Sequence, residues 1–263
     1  METNPNLEFY DGLAPAYHLL YADWDQAVQE QGEFFDRFIR SRLSHEKGAA
    51  IRLLDASCGI GTQALGLAQR HFTVTATDLS PQAVERARRE AAELGVSIQF
   101  GIADFRTLDT DIAGRFEVIL SADNAIPHLL TDEDVREACR QFFVKLEEDG
   151  LLLLSIRDYD HEIQHRQRAT KPRVMDKGKR IVFQVWDWSE EGNRYVTNQY
   201  MMQEEDGQWL TQVNKTVYRA LLRSELSEAL EAAGFRDIQW HMPLESGYYQ
   251  PIVTARKHRS AGG

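Results

Sequence analysis

From Arg52 onward the chain alternates apolar runs of strand length with amphipathic runs of helix length, and this restricts its fold more than any other feature. The strand-like pieces are "RLLDA", "FTVTAT", "SIQFGI", "FEVILSA" and "LLLLSIR". Helix-like stretches such as "PQAVERARREAAELG" and "TDEDVREACRQFFVKLEEDG" lie between them. Ser80 followed by Pro81, and Thr131 followed three residues on by Asp134, supply N-terminal signals for these two helices. A further helix, "SELSEALEAAGF", stops at Gly234, and "RDIQWHM" and "YYQPIVTARK" read as two closing strands. Strands joined through helical crossovers pair in parallel, so the expected fold class is α/β, a doubly wound, mostly parallel, seven-stranded sheet.

Between Arg180 and Leu221 the pattern changes to long β segments, "RIVFQVWDW", "RYVTNQYMMQE" and "WLTQVNKTVYRAL", with Gly192 and Asp206-Gly207 as turn formers. An antiparallel β insertion of about three strands after the fifth strand is expected. Ahead of the sheet, Val28, Phe34, Phe35, Phe38, Ile39 and Leu43 recur at helical spacing behind the aromatic stretch "FYDGLAPAYHLLYADW". The expected organisation is a segment over 1–45 capping the site, an α/β ligand-binding unit over 46–172 and 219–258, and an inserted, substrate-covering unit over 173–218.

Charge narrows the partners. The 41 acidic and 30 basic side chains leave a formal charge of −11, with no basic run beyond "ARKHRS". A polyanion-binding protein needs a concentrated basic face, so no nucleic-acid partner is expected. No apolar stretch approaches the roughly 20 residues that span a bilayer, and "METNPNLEFYDG" lacks the features of a signal peptide, so no membrane partner and a cytoplasmic location are expected. Cys58 and Cys139 stand in no metal-type spacing and read as reduced thiols. A homo-oligomer stays open.

The turn "DASCGIGTQA" joins the first strand to the next helix. Gly59 to Ala64 fits the G-x-G-x-x-A dinucleotide pattern, but Asp55, four residues before Gly59, would repel a pyrophosphate and suits a ligand presenting a cation. Asp78 ends the next strand, where an acidic side chain accepts from ribose hydroxyls; Asp104 ends the third, placed to accept from the exocyclic amine of a base. One ligand joins an ammonium, a sulfonium, a ribose and an adenine without phosphate: S-adenosylmethionine.

On these residues the chain resembles the class I S-adenosylmethionine-dependent methyltransferases, which have a Rossmann-like fold and a first motif of D-x-x-C/G-G-x-G. "LLDASCGIGT", "TATDLS" and "ADFRTLD" are similar to their first three motifs. Within that class it is most similar to the glycine/sarcosine N-methyltransferase group. "ADNAIPHLL" resembles that group's G-N-S-F-A-H-L, and "LLLLSIRDYDHEI" its H-R-N-Y-D-x-I-L. The resemblance implies an N-methyltransferase acting on a small-molecule amine, an amino acid such as glycine, sarcosine or dimethylglycine, with S-adenosylhomocysteine as product. It implies cofactor contacts from Asp55, Ser57, Gly59, Gly61, Asp78, Leu79, Ala103, Asp104, Phe105, Ala122 and Asp123. It also implies that Asn124 lines the methyl-transfer pocket and that Arg157 grips a substrate carboxylate, with Tyr21, Tyr218 and Tyr249 packing around the substrate. The group's D-T-R-S-R run, which gives an arginine to the cofactor carboxylate, is replaced by "ADWDQ".

Direct displacement at a sulfonium methyl needs alignment rather than a nucleophilic side chain. His128 is the one nearby candidate for a base, and loop bracing is its plainer role. A larger amine, an aminosugar or heterocycle, would also suit the aromatic insertion. Two rivals use the same residues: an NAD-dependent oxidoreductase on G-x-G-x-x-A, and a zinc hydrolase on "HEIQH", His161 to His165, which follows a strand and soon meets Pro172. No metal is expected.

Overall fold

The computed structural model describes residues 5–43 and 50–259, so the expected boundary near residue 45 lies outside the described residues. Helix α1 (Pro5–Leu13), a 3₁₀ turn (Ala14–Leu20) and helix α2 (Trp24–Arg40) come first. The sheet then begins with β1 (Ile51–Asp55), α3 (Thr62–Ala68), β2 (Phe72–Asp78), α4 (Pro81–Glu93) and β3 (Gln99–Ile102). It continues through α5 (Leu108–Asp111), β4 (Phe116–Ser121), α6 (Asp132–Lys145), β5 (Leu146–Ser155) and α7 (Tyr159–His165). Four strands follow, β6 (Arg173–Met175), β7 (Arg180–Trp188), β8 (Arg194–Glu205) and β9 (Gln208–Arg219). The chain closes with α8 (Arg223–Ala233), β10 (Arg236–His241), α9 (Pro243–Ser246) and β11 (Ile252–Arg256).

Seven strands form one sheet in the order β10-β11-β5-β4-β1-β2-β3, in which β11 alone runs antiparallel to its neighbours. The order reverses between β1 and β4, so the loops after these two strands diverge and leave a crevice at the carboxyl edge of the sheet. Local chemistry fixes the helix starts around it. Ser80 Oγ accepts from the Ala83 amide at 3.0 Å, Thr131 Oγ1 from the Asp134 amide at 3.1 Å, and Asp23 caps α2.

The second sheet, β6-β7-β8-β9, is antiparallel throughout. Its fourth strand escaped sequence reading because β6 has only three residues and lies directly after Pro172, which weakens any strand signal. Asp206 and Gly207 both adopt positive φ and turn β8 into β9. Trp186, Tyr195 and Tyr218 project from one face of this sheet into the same core as Leu152, Leu154 and Phe142, so the insertion shares the main hydrophobic interior. Among the described residues no helix is long and apolar enough to cross a membrane.

Helix α2 rests on α3 through two glycines. A Cβ at Gly66 would stand 2.4 Å from the Val28 carbonyl oxygen and 2.7 Å from the Gly32 Cα. Gly66→Ala would gain about 1 kcal/mol of helix propensity, but overpacking costs ~1–3 kcal/mol. The urea midpoint should therefore fall; a midpoint at or above wild type would show that α2 is not held against α3 at this contact.

Candidate active site

A cavity of ≈ 270 Å³ opens over the carboxyl ends of β1, β2, β3 and β4. Ser57 and Gly59 line it from the glycine turn, Asp78 and Leu79 from the end of β2, Ala103, Asp104 and Phe105 from beyond β3, and Ala122 and Asp123 from beyond β4. At Gly59 (φ 52°) an added Cβ would meet no protein atom within 4 Å, so the turn presents bare backbone to open space.

Asp55 and Gly61 do not reach the wall. Gly61, at φ 101°, caps α3 and packs against Leu65. Asp55 is 1% exposed, tucked beneath the turn. Its Oδ1 accepts from the Ser57 amide at 3.3 Å, while Oδ2 has no hydrogen-bond partner among the described residues. Burial pushes this carboxyl up to about 8 against the opposing pull of the Ser57 amide. The expected place for it on the wall of the cofactor site is therefore corrected: it lies beneath the turn as a buried acid with one oxygen unsatisfied among the described residues.

Asp78 also has a raised pKa, through burial, although amides oppose the shift. Its Oδ2 accepts from Gly59 N–H at 2.8 Å and its Oδ1 from Ser80 N–H at 3.0 Å, which ties the turn to the end of β2. Each oxygen keeps lone-pair capacity for a hydroxyl from the cavity. Asp104 differs. Burial would raise its pKa, but Arg106 outweighs it, bonding Oδ2 at 2.6 Å and Oδ1 at 3.0 Å while also reaching Asp134 at 2.8 Å, and the carboxyl is held low. Sequence reading missed this clamp, although the two-residue spacing of Asp104 and Arg106 was its visible signal.

A second cavity, of ≈ 690 Å³, adjoins the first, and Tyr10, Tyr17 and Asp123 line both. Tyr21, Arg157, Tyr218 and Tyr249 lie on its wall. Arg157 donates to Tyr195 Oη at 2.5 Å and Gln184 Oε1 at 2.9 Å, and its guanidinium stacks 4.8 Å from the Trp186 ring centre and 5.2 Å from that of Tyr218. Among the described residues no carboxylate pairs with it. Tyr249 is 62% exposed and donates to Asp123 Oδ1 at 2.7 Å.

Asn124 requires a correction. It is 2% exposed and lines neither cavity: Oδ1 accepts from the Arg157 amide at 2.9 Å and Nδ2 donates to Tyr159 Oη at 2.9 Å. Its amide is consumed in bracing the loop that carries Arg157. His128 lines the first cavity, with Nδ1 against the Val217 carbonyl at 3.2 Å, so Nδ1 carries the proton and Nε2 accepts from Tyr10 Oη at 2.8 Å. Burial drives its pKa down to about 3, and with both nitrogens engaged it braces rather than acts as a base. The "HEIQH" histidines sit on the seven-residue α7 with rings stacked 4.0 Å apart, and no metal-ligating cluster of three occurs among the described residues.

Residues 53–150 match the family model described as "Methyltransferase domain". The chain is 30% identical over 158 residues to a glycine/sarcosine N-methyltransferase of Halorhodospira halochloris, covering 60% of this chain and 56% of that one. It spans about half the length of the curated relatives it matches. In fold it is similar to an S-adenosylmethionine-dependent methyltransferase from Clostridium acetobutylicum, with a TM-score of 0.72 and 13% identity over 96% of this chain and 98% of that one. It is also similar to the amino pentose methyltransferase CalS10 of Micromonospora echinaspora, solved with S-adenosylmethionine bound, at TM-score 0.68 and 19% identity over 88% of this chain and 91% of that one.

Asp55 makes stability depend on pH. Its carboxyl titrates at about 8 when folded and near 3.8 when exposed, so between these values the folded chain keeps a proton that the unfolded chain has released. The stability this group provides is complete below the lower value and is lost as pH rises through the upper one. The non-titrating Asp55→Asn variant should gain stability relative to wild type as pH rises from about 5 to 8, read from urea unfolding without added ligand. A difference independent of pH would refute the burial argument.

Proposed function

We propose that this chain is an S-adenosylmethionine-dependent methyltransferase that delivers the methyl group to the amine of a small, carboxylate-bearing acceptor, an amino acid such as glycine, sarcosine or dimethylglycine. The observation that carries the reading is a pair of adjoining chambers, one walled by acids and the other holding a guanidinium without a carboxylate partner among the described residues.

The first chamber fits a phosphate-free donor. Asp78, Asp104, Asp123 and Asp134 line it, Arg106 is the one lysine or arginine lining it among the described residues, and that cation is bonded to Asp104 and Asp134. A pyrophosphate would meet uncompensated repulsion there, which disfavours the dinucleotide alternative. Asp78 suits the ribose hydroxyls, Asp104 the exocyclic amine, and Asp55 the positive amino-acid end from below. With no arginine in the segment that replaces D-T-R-S-R, Tyr17 and Thr62 are neutral donors on this wall for the donor's carboxylate.

S-adenosylmethionine supplies a methyl group on a cationic sulfur, so an acceptor needs only a neutral lone pair in line with that bond. The protein's part is positioning, which can contribute about 7–11 kcal/mol. Arg157 has neutral partners on two of its nitrogens and a ring beneath its face, a geometry that fixes the fork while leaving its charge to be met by a ligand carboxylate.

A second reading draws on the size of the acceptor chamber, ≈ 690 Å³, with exposed Lys171 and Arg173 on its wall. An aminosugar or heterocyclic amine would also be accommodated. Acceptor profiling separates the two. Arg157→Met should lose carboxylate-bearing acceptors selectively, by about 1.5–3 kcal/mol in kcat/KM, while sparing neutral amines. Equal loss across both classes would refute the carboxylate assignment. Calorimetry should show uptake of S-adenosylhomocysteine by wild type and about 10-fold or greater weakening in Asp78→Ala; no uptake by wild type would remove the donor assignment.

A further inference from the structure

Asp123 stands beyond the tip of β4, where the two cavities meet. Its backbone is left-handed (φ 58°), as is that of Asn124 (φ 69°). Glycine adopts this conformation freely, and other residues are held in it at a cost of order 1 kcal/mol or more. Aspartate and asparagine tolerate this conformation best among non-glycine residues, so the turn can carry a carboxylate to the junction of the two cavities.

That side chain is fixed without being neutralised. Oδ1 accepts from the hydroxyls of Tyr248 and Tyr249, Oδ2 accepts from Gln63 Nε2 at 2.8 Å, and the Asp123 amide donates to Ser155 Oγ at 2.8 Å. Burial pushes the Tyr248 phenol far above its usual range, so it stays a neutral donor. No cation pairs with Asp123 among the described residues, and Oδ2 retains a lone pair. Arg157 mirrors this arrangement beyond the tip of β5, a positive charge fixed by neutral partners. β4 and β5 are paired with Ser121 opposite Leu154, so their tips lie about 5 Å apart, yet no ion pair joins the two residues.

We propose that Asp123 is a catalytic residue: it holds the acceptor's nitrogen while Arg157 holds its carboxylate, and it stabilises the positive charge that forms on that nitrogen during transfer. The inference rests on the amino-acid reading above. The acceptor arrives as a zwitterion and releases one proton to water. Its neutral nitrogen attacks the methyl carbon, the C–N bond forms as the C–S bond breaks, and the electron pair of the broken bond stays on sulfur. Positive charge thereby passes from sulfur to nitrogen, which then sheds any remaining N–H proton to water. A fixed carboxylate beside that nitrogen binds the transition state more strongly than the neutral amine, which is the condition for acceleration.

The test uses two ligands of one shape, glycine betaine and 3,3-dimethylbutanoate, which share the carboxylate and differ in a cationic nitrogen against a neutral carbon. Calorimetry in saturating S-adenosylhomocysteine should show wild type preferring the betaine by about 10-fold or more. Asp123→Asn, which keeps an oxygen for the tyrosines, should bring that preference to about 2-fold or less, and Arg157→Met should weaken both ligands together. Asp123→Gly, relaxed at this φ, provides a second variant for the same ratio should the amide disturb folding. A preference that survives both Asp123 changes would overturn the proposal and assign the cation to the tyrosine faces. Equal binding of the two ligands by wild type would overturn it as well. If wild type takes S-adenosylhomocysteine but neither ligand, the amino-acid reading fails and the clasp falls with it.

Discussion

The structure is organised around acids placed at strand tips where water is largely excluded. A carboxylate without a partner in such a place costs several kcal/mol, and the chain meets the cost in different ways at each tip. Asp55 keeps its proton near neutral pH; Asp78 is satisfied by amides of the glycine turn and the start of α4; Asp104 is locked by Arg106. The turn owes its shape to these bonds, and the sheet order that reverses between β1 and β4 gives them a crevice to face.

Much of this was legible from sequence because it is local. The glycine turn, the acids ending β1 and β2, Asp104 just beyond β3 and the helix caps each depend on residues within a few positions of one another. What escaped depends on distant contacts. Asn124 looked like a pocket residue, but the return of Tyr159 and Arg157 beneath it buries its amide. The bonds from Tyr248 and Tyr249 to Asp123 span 125 and 126 positions, and no spacing announces them. β6 was lost for a different reason, its brevity next to a proline.

The two chambers draw on different parts of the chain. The first is built chiefly within residues 53–150, the segment that matches the methyltransferase family model. Arg157, Gln184, Tyr218 and Tyr249 lie outside that segment. Under the proposed reading, acceptor choice would rest on the inserted sheet and the closing strands, whereas the fold itself, over 88–96% of the chain, is shared with proteins at 13–19% identity.

Tyr10 and Tyr17 come from a single short stretch, α1 and the turn behind it, yet they line both cavities. That stretch is fastened to β9 by Asn6 and Thr216 at 2.7 Å and to the β4 loop by Tyr10 and His128. One short stretch of chain thus walls both cavities, so any change in its position would reshape the two together.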